Sequence, residues 1–372
     1  MKICIPQEVL EEKLQMLKRV IPAQEKDRVW GPKGMEYQRI FMEAKEGTLL
    51  LQAGGNDMEA VFKIDCDIEE EGEVLVPADL FVKLVAKFKK EKVYIEENNG
   101  KIVIKCGSTE VNLLPFVADN FKFDWEQGTE FGFEIKAEDL IQIIRHVIIA
   151  GPNNFSSPYN GVNIKGNGCI NFCVLDGHKL ALYKYDGMTN WNTIIPIKSF
   201  EKLKFILEKS KNETVRVEKL GKCLIFKTKD IFFRTTCLEG SFPAWEKVVK
   251  EKDNINVRFI TNRIKLLEIL ERLRTLIQEE TEKIVIMQIS PSNVFIETQE
   301  FEKGYGKEPI FVEDLECNEN IKIGMNVDYF IAPLKVLKEE KVRIGIIGSL
   351  APIFVEGVGN ENYTYIFMPV RL

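Results

Sequence analysis

The sequence predicts an α+β fold in which one unit is written three times: three repeated domains, each with two helices packed on antiparallel sheets. Two recurring elements carry that prediction. "GEVLVPADLFVKLVAKFKKEKVYIE" from 72, "NTIIPIKSFEKLKFILEKSKNETVRVE" from 192 and "IKIGMNVDYFIAPLKVLKEEKVRIG" from 321 each read as a short apolar strand, a break, an amphipathic lysine-rich helix and a strand opening on Val. "ICIPQEVLEEKLQMLKRVI" from 3, "FEIKAEDLIQIIRHVII" from 133 and "VRFITNRIKLLEILERLRTLI" from 257 each read as a strand followed by a helix of about three turns.

Each element has a local reason. In the lysine-rich helices apolar residues recur at 3–4 spacing: Leu80, Phe81, Leu84, Val85 and Phe88 in the first copy, and Phe200, Leu203, Ile206 and Leu207 in the second. The hairpin after the first of them, "KVYIEENNGKIVIKC", turns at Asn-Asn-Gly, with Val93, Ile95, Ile102 and Ile104 alternating inward. Between the helices lie strand-rich stretches such as "TLLLQAGGNDMEAVFKIDC" and "CINFCVLDGHKLALYKY". Polar joins at 126–130 ("EQGTE") and 250–256 ("KEKDNIN") set the expected domains at 1–127, 128–253 and 254–372. The final "YTYIFMPVRL" alternates as the last hairpin strand of the third copy should.

Composition narrows the function classes. With 45% apolar and 29% charged residues, the chain has the make-up of a globular protein with a real core. No stretch approaches the ~20 apolar residues of a membrane span. The opening "MKICIPQEVLEEKLQ" turns charged within a dozen residues, so no signal peptide and a cytoplasmic location are expected. The eight cysteines form no CxxC pair, and His146 and His178 are the only histidines, so no metal site is expected and the thiols read as reduced. "LDGHKL" puts Asp176 and His178 two apart, where a strand would give a base and its orienting acid one face. No G-x-S-x-G elbow and no phosphate-binding glycine loop accompanies them, so a turn at Asp-Gly followed by a histidine lining a groove is the better reading. The expectation is a protein with no catalytic residues and no cofactor.

The net charge of −6 hides an uneven distribution. Residues 79–92 hold Lys83, Lys87, Lys89, Lys90 and Lys92 against Asp79 and Glu91. Residues 198–211 hold Lys198, Lys202, Lys204, Lys209 and Lys211 against Glu201 and Glu208. The corresponding 335–341, "KVLKEEK", is nearly balanced. Lysines on a solvated helix face are commonplace. Their equivalent placement in two repeats also suits a surface that meets nucleic-acid phosphates without reading sequence.

The triplicate plan, "LDGHKLAL" at 175–182, "EGSFPAWEKVV" at 239–249 and the final "MPVRL" together resemble the bacterial sliding clamps, the beta subunits of replicative DNA polymerase. The likeness covers the whole chain. It implies three clamp-type domains, a head-to-tail homodimer forming a six-domain ring, and helices lining a hole that encircles duplex DNA. It implies partners as well: the replicative polymerase, the clamp loader and repair proteins, each bound through a short apolar peptide motif. By position, it places the dimer contact on Val111, Leu113, Leu276 and Ile277. DNA-facing candidates are Lys198, Lys202, Lys83, Lys87 and Arg28. The partner pocket falls on Tyr159, Leu175, Gly177, His178, Lys179, Leu180, Pro243, Lys247, Val248, Tyr329, Pro352, Ile366, Met368, Pro369, Val370 and Arg371. Met368 to Val370 would wall an exposed apolar groove that a tail would obstruct, and Met suits a surface accepting several partners. The family often has Thr at the position of Leu175, and Arg at those of Lys179 and Lys247, so peptide preference is expected to be shifted. A second reading stays open: a clamp-fold peptide-binding scaffold, or a secondary clamp, without the main replicative role.

Overall fold

The computed structural model describes residues 1–21, 38–55, 57–98, 100–115, 129–152, 160–277, 283–298 and 304–372. The first copy runs β1 (Lys2–Pro6), α1 (Gln7–Val20), β2 (Arg39–Lys45), β3 (Thr48–Gly54), β4 (Met58–Asp65), β5 (Asp67–Glu70), β6 (Gly72–Pro77), α2 (Ala78–Val85), β7 (Lys92–Asn98), β8 (Lys101–Cys106) and β9 (Thr109–Leu113). The second runs β10 (Glu130–Lys136), α3 (Ala137–Val147), β11 (Gly161–Gly166), β12 (Ile170–Leu175), β13 (Lys179–Tyr185), β14 (Asn192–Pro196), α4 (Ile197–Leu207), β15 (Thr214–Leu220), β16 (Cys223–Lys227) and β17 (Ile231–Thr236). A short helix α5 (Trp245–Lys250) follows. The third runs β18 (Val257–Asn262), α6 (Arg263–Arg274), β19 (Ile284–Ser290), β20 (Asn293–Thr298), β21 (Lys307–Ile310), β22 (Val312–Glu316), β23 (Ile321–Asn326), α7 (Val327–Val336), β24 (Lys341–Ile346), β25 (Ile353–Gly357) and β26 (Tyr363–Phe367).

The three copies pair their strands by one rule. The strand before the first helix joins the final meander, giving β1-β7-β8-β9, β10-β15-β16-β17 and β18-β24-β25-β26. The strands between the helices pair as β6-β2-β3-β4, β14-β11-β12-β13 and β23-β19-β20-β21. Consecutive copies then share sheets. β4 pairs antiparallel with β17, Phe232 opposite Val61, making an eight-stranded sheet. β13 pairs with β26, Leu180 opposite Ile366, making a nine-stranded one. The chain accordingly divides into two compact units, one of Met1–Leu140 with Lys198–Cys237 and one of Ile141–Ile197 with Leu238–Leu372. The middle copy contributes strands to both.

Core positions follow the sequence periodicity. Val93, Ile95, Ile102 and Ile104 are fully buried, as are Phe200, Leu203, Ile206 and Leu207. α1 lays Leu10, Leu14 and Leu17 against α2, β3 and β4, each such side chain worth about 2 kcal/mol of hydrophobic transfer. Side-chain caps start the last two long helices: Asn262 accepts from the Lys265 N–H, and Asn326 from those of Asp328 and Tyr329.

Two helices are shorter than their periodicity suggests. α2 stops at Val85, so Lys87, Phe88, Lys89 and Lys90 lie in the turn beyond it, and Leu80 is 51% exposed. α7 stops at Val336, so most of "KVLKEEK" is not helical. The reason is a competing donor: Arg263 gives Nε–H to the Glu339 carbonyl and Nη1–H to that of Leu334, bending the chain toward β24.

Candidate peptide-binding groove

In the second unit, β12 returns into β13 through Asp176, Gly177 and His178. Gly177 sits at φ +91°, a conformation that favours glycine. The Asp176 carboxylate accepts from the N–H groups of His178 (2.9 Å) and Lys179 (2.8 Å). Its other oxygen lies 3.2 Å from Lys179 Nζ. Asp176 and His178 are therefore turn residues, not strand neighbours, and the carboxylate is spent on the turn and its ion pair. That removes the base-and-orienting-acid arrangement which a strand would have allowed.

Lys179 is 7% exposed. Its Nζ also donates to the Gly151 carbonyl at 3.2 Å and stands 5.0 Å from the centre of the Tyr329 ring. The side chain thus ties the turn down from beneath, and its ammonium is committed inside the protein. Burial, then the charges of Asp176 and Asp328, push the Tyr329 hydroxyl above its ordinary pKa. The phenol stays neutral and available as a donor.

Beyond β26 the chain leaves the ladder but stays pinned. The Met368 N–H donates to the His178 carbonyl and the Val370 N–H to that of Gly324, both at 2.8 Å. Gly324 permits this approach, because a Cβ there would lie 2.8 Å from the Val370 oxygen. Met368, Pro369 and Val370 are half-buried, and Arg371 is exposed. Beneath them Leu175, Leu180 and Ile366 cluster with Leu182, Phe354 and Trp245. That floor is 8% exposed or less, so accessible apolar surface comes from half-buried walls: Met368, Pro369, Val370, Pro243, Val248 and Pro352. Trp245 holds α5 over the cluster by donating Nε1–H to Asn163 Oδ1 (3.1 Å). Lys247 and His178 stay exposed at the rim.

The expected pocket residues thus gather in one unit, except Tyr159, which, like Arg28, lies outside the described residues. Sequence reasoning missed Trp245, Phe354 and Asn163. The signal for Trp245 was a lone large aromatic opening the one-turn helix of "PAWEKVV".

The other candidates fall on defined elements. Lys83 on α2 is held by Asp79, while Lys87 has no side-chain partner among the described residues. Lys198 and Lys202 lie on α4. Asp79 also lies 3.9 Å from Lys18 of α1, and Arg19 of α1 stacks 4.3 Å over the Phe205 ring of α4, so the three helices form one layer. Val111 and Leu113 lie on β9; Leu276 and Ile277 follow α6. Among the described residues no group of His, Cys, Asp and Glu could hold a metal ion, and no helix is long and apolar enough to cross a membrane.

An apolar groove flanked by an exposed cation, on three copies of one α+β unit, defines a clamp-type binding scaffold. Comparison with known proteins agrees in sequence and in fold. The family described as DNA polymerase III beta subunit, N-terminal domain, matches residues 1–123, and its C-terminal domain matches 251–371. The beta sliding clamp of Bacillus subtilis (strain 168) is 26% identical over 312 residues, 82% of each chain. That of Staphylococcus epidermidis RP62A is 25% identical over 349 residues, 89% of this chain and 91% of the relative. The solved DNA polymerase sliding clamp from Bacillus subtilis superposes with a TM-score of 0.90 at 23% identity, covering 100% of this chain and 99% of that one. The sliding clamp from Pseudomonas aeruginosa bound to griselimycin gives 0.90 at 23% identity over the full length of both. The chain belongs to the DNA polymerase III beta subunit family, the bacterial beta sliding clamps.

Proposed function

We propose that two copies of this chain pair head to tail into a ring of six similar domains around duplex DNA, and that the groove tethers a polymerase and other partners through short apolar peptides. The domains are 1–127, 128–253 and 254–372. The observation that carries this reading is the shared pairing rule. β4 takes β17 and β13 takes β26, so the equivalent strand β21 calls for one like β9. Among the described residues β9 and β21 are each paired on one side only. A second copy offers both missing partners, and closure removes both free edges. Val111 and Leu113 belong to the β9 edge. Leu276 sits against β21's approach, 2.8 Å from where a Cβ on Gly306 would lie.

The helix layer of α1, α2 and α4 supplies the DNA-facing side, with Lys87, Lys198 and Lys202 meeting phosphates and so without sequence preference. Lys83 contributes less, because Asp79 already holds it. The tether acts through topology, so the groove needs only modest affinity for each partner. We read the location as cytoplasmic.

Three measurements test this. Light scattering at micromolar concentration should give twice the 42.8 kDa chain mass, and a clean monomer would remove the ring. Met368→Ala, or deletion of residues 368–372, should weaken a labelled peptide with apolar anchors about 30-fold or more while leaving the dimer intact. Binding that survives both changes would show the groove is misassigned. Salt-sensitive retention on circular DNA separates a replicative clamp from a peptide-binding scaffold.

A further inference from the structure

A cavity of about 600 Å³ in the second unit lies beside the groove rather than in it. Its wall is the same sheet face. The cross-strand row Leu180, Ile366, Phe354, Gly345, Arg258 runs in register from β13 through β26, β25 and β24 to β18. Phe354 belongs both to the apolar cluster beneath the groove and to the cavity lining. Ile255 lies across the sheet between the two, at a point where only glycine fits: a Cβ on Gly345 would meet its Cδ1 at 2.5 Å.

The cavity's cations are unequally satisfied. Lys252 Nζ is bound to Glu356 Oε1 at 2.6 Å, and that oxygen also accepts from Thr364 at 2.7 Å. Arg343 stands directly opposite Glu356 in the ladder, yet its guanidinium has no hydrogen bond or ion pair among the described residues. Among the described residues Arg258 makes only a loose 3.8 Å contact with the exposed Glu316, and its buried Nε has no partner there. One guanidinium unpaired among the described residues and one only loosely held, next to the apolar Phe354, Ile255 and Ile260, form a receptor for a carboxylate on a partly apolar segment. Asp314 and Glu316 are exposed residues of the same lining, so the incoming carboxylate competes with Glu316 for Arg258 and the unpaired Arg343 is its principal partner.

We propose that this cavity is a second subsite for the partner peptide, in which Arg343 and Arg258 bind an acidic side chain flanking the apolar anchors. The proposal rests on the groove reading above. β26 and β18 are three strand spacings apart, ~14 Å, which about four extended residues span. The acidic residue therefore belongs roughly four positions from the nearest anchor.

The test uses the full chain and three labelled probes: a peptide with apolar anchors alone, the same peptide with a Ser-Asp-Glu-containing extension, and one with serines in place of the acids. The acidic probe should bind about five- to tenfold more tightly than the serine probe. That gain should vanish in Arg343→Ala, invert in Arg343→Glu and shrink in Arg258→Ala, while all three variants bind the anchor-only peptide as the unmodified chain does. If the anchor-only peptide binds but the acids add nothing, or their gain survives Arg343→Ala, the cavity proposal is overturned and the groove stands. If the anchor-only peptide does not bind the unmodified chain, the groove reading fails and this inference with it.

Discussion

The two long sheets join consecutive copies through the same backbone pairing and present opposite surfaces. At the β4–β17 junction, Val61, Ile225 and Phe232 form a small apolar cluster that the sheet's own charged side chains cover. Lys227 lies 5.2 Å from the Phe232 ring centre and Arg216 4.8 Å from that of Phe131, while Arg234 pairs with Glu59 at 2.9 Å. A shallow hollow of about 350 Å³ remains there, rimmed by Lys63, Lys227 and Lys229. At the β13–β26 junction the equivalent apolar surface is covered by a separate segment, α5, and by the strap from Met368 to Val370. Long charged stems cover apolar surface while keeping their heads in water. A separate covering segment leaves an apolar seam along its edge, and a peptide can fill a seam. The difference between the closed junction and the proposed binding junction lies in what covers the pairing.

That comparison can be broken from either side. The largest effect is expected at the cover of the binding junction. Trp245→Ala removes the residue holding α5 in place and should cost about 3–5 kcal/mol in denaturant unfolding, with peptide affinity lost as well. Trp245→Phe isolates the polar part, because Asn163 Oδ1 loses its donor; about 1–3 kcal/mol is expected. If Trp245→Ala leaves both stability and peptide binding unchanged, α5 is not the cover.

A smaller effect belongs to the charged junction. Burial alone would raise the Glu218 carboxyl, but bonds from Lys227 and Thr129, aided by the charge of Arg216, outweigh it and hold the pKa below the ordinary value. A carboxylate lowered in the folded state contributes stability that is complete above the unfolded pKa, about 4.5, and is lost as pH falls through the lower folded value. Lys227→Ala should therefore destabilise by about 1–2 kcal/mol at pH 7 and flatten the rise of melting temperature with pH below about 4.5. An unaltered pH profile would mean that the Lys227 bond does not hold Glu218.

The smallest effect concerns the proposed third junction, between chains. The Thr298 N–H donates to the Gly306 carbonyl, so by ladder alternation Glu308 and Ile310 face β20 while Lys307 and Pro309 turn their backbone to the free edge. Pro309 has no N–H, so this edge offers one donor fewer than β4 or β13 at the junctions within the chain. Pro309→Thr should tighten the dimer by about 0.5–1.5 kcal/mol, read as a lower dissociation constant on dilution. A weaker dimer would argue that the proline's rigidity matters more than the missing bond.

Much of this was legible in the sequence, for a physical reason: helix and strand periodicities are local. The spacing of Phe200, Leu203, Ile206 and Leu207 reports a buried helix face wherever that helix ends up. The alternation of Val93 and Ile95 against Ile102 and Ile104 likewise reports one hairpin. Local signals also misled. The lysine-rich pattern continued past Val85 and Val336, where Phe88 and Leu337–Lys341 looked helical; at Val336 periodicity does not register the competing guanidinium of Arg263. Asp-Gly at 176–177, by contrast, marked its turn correctly, and the Asp176 carboxylate accepts from the N–H groups of His178 and Lys179 there.

The sequence by itself determined the triplicated unit and its core positions, since each rests on contacts within a copy. Only the tertiary structure decided how copies share sheets, that Lys179 is spent beneath the turn, and that Arg343 has no partner among the described residues. Those outcomes depend on pairings such as Phe232 with Val61 and Leu180 with Ile366, between strands far apart in the chain. Such pairings leave no period in the sequence, because backbone hydrogen bonds are the same whichever strand supplies them.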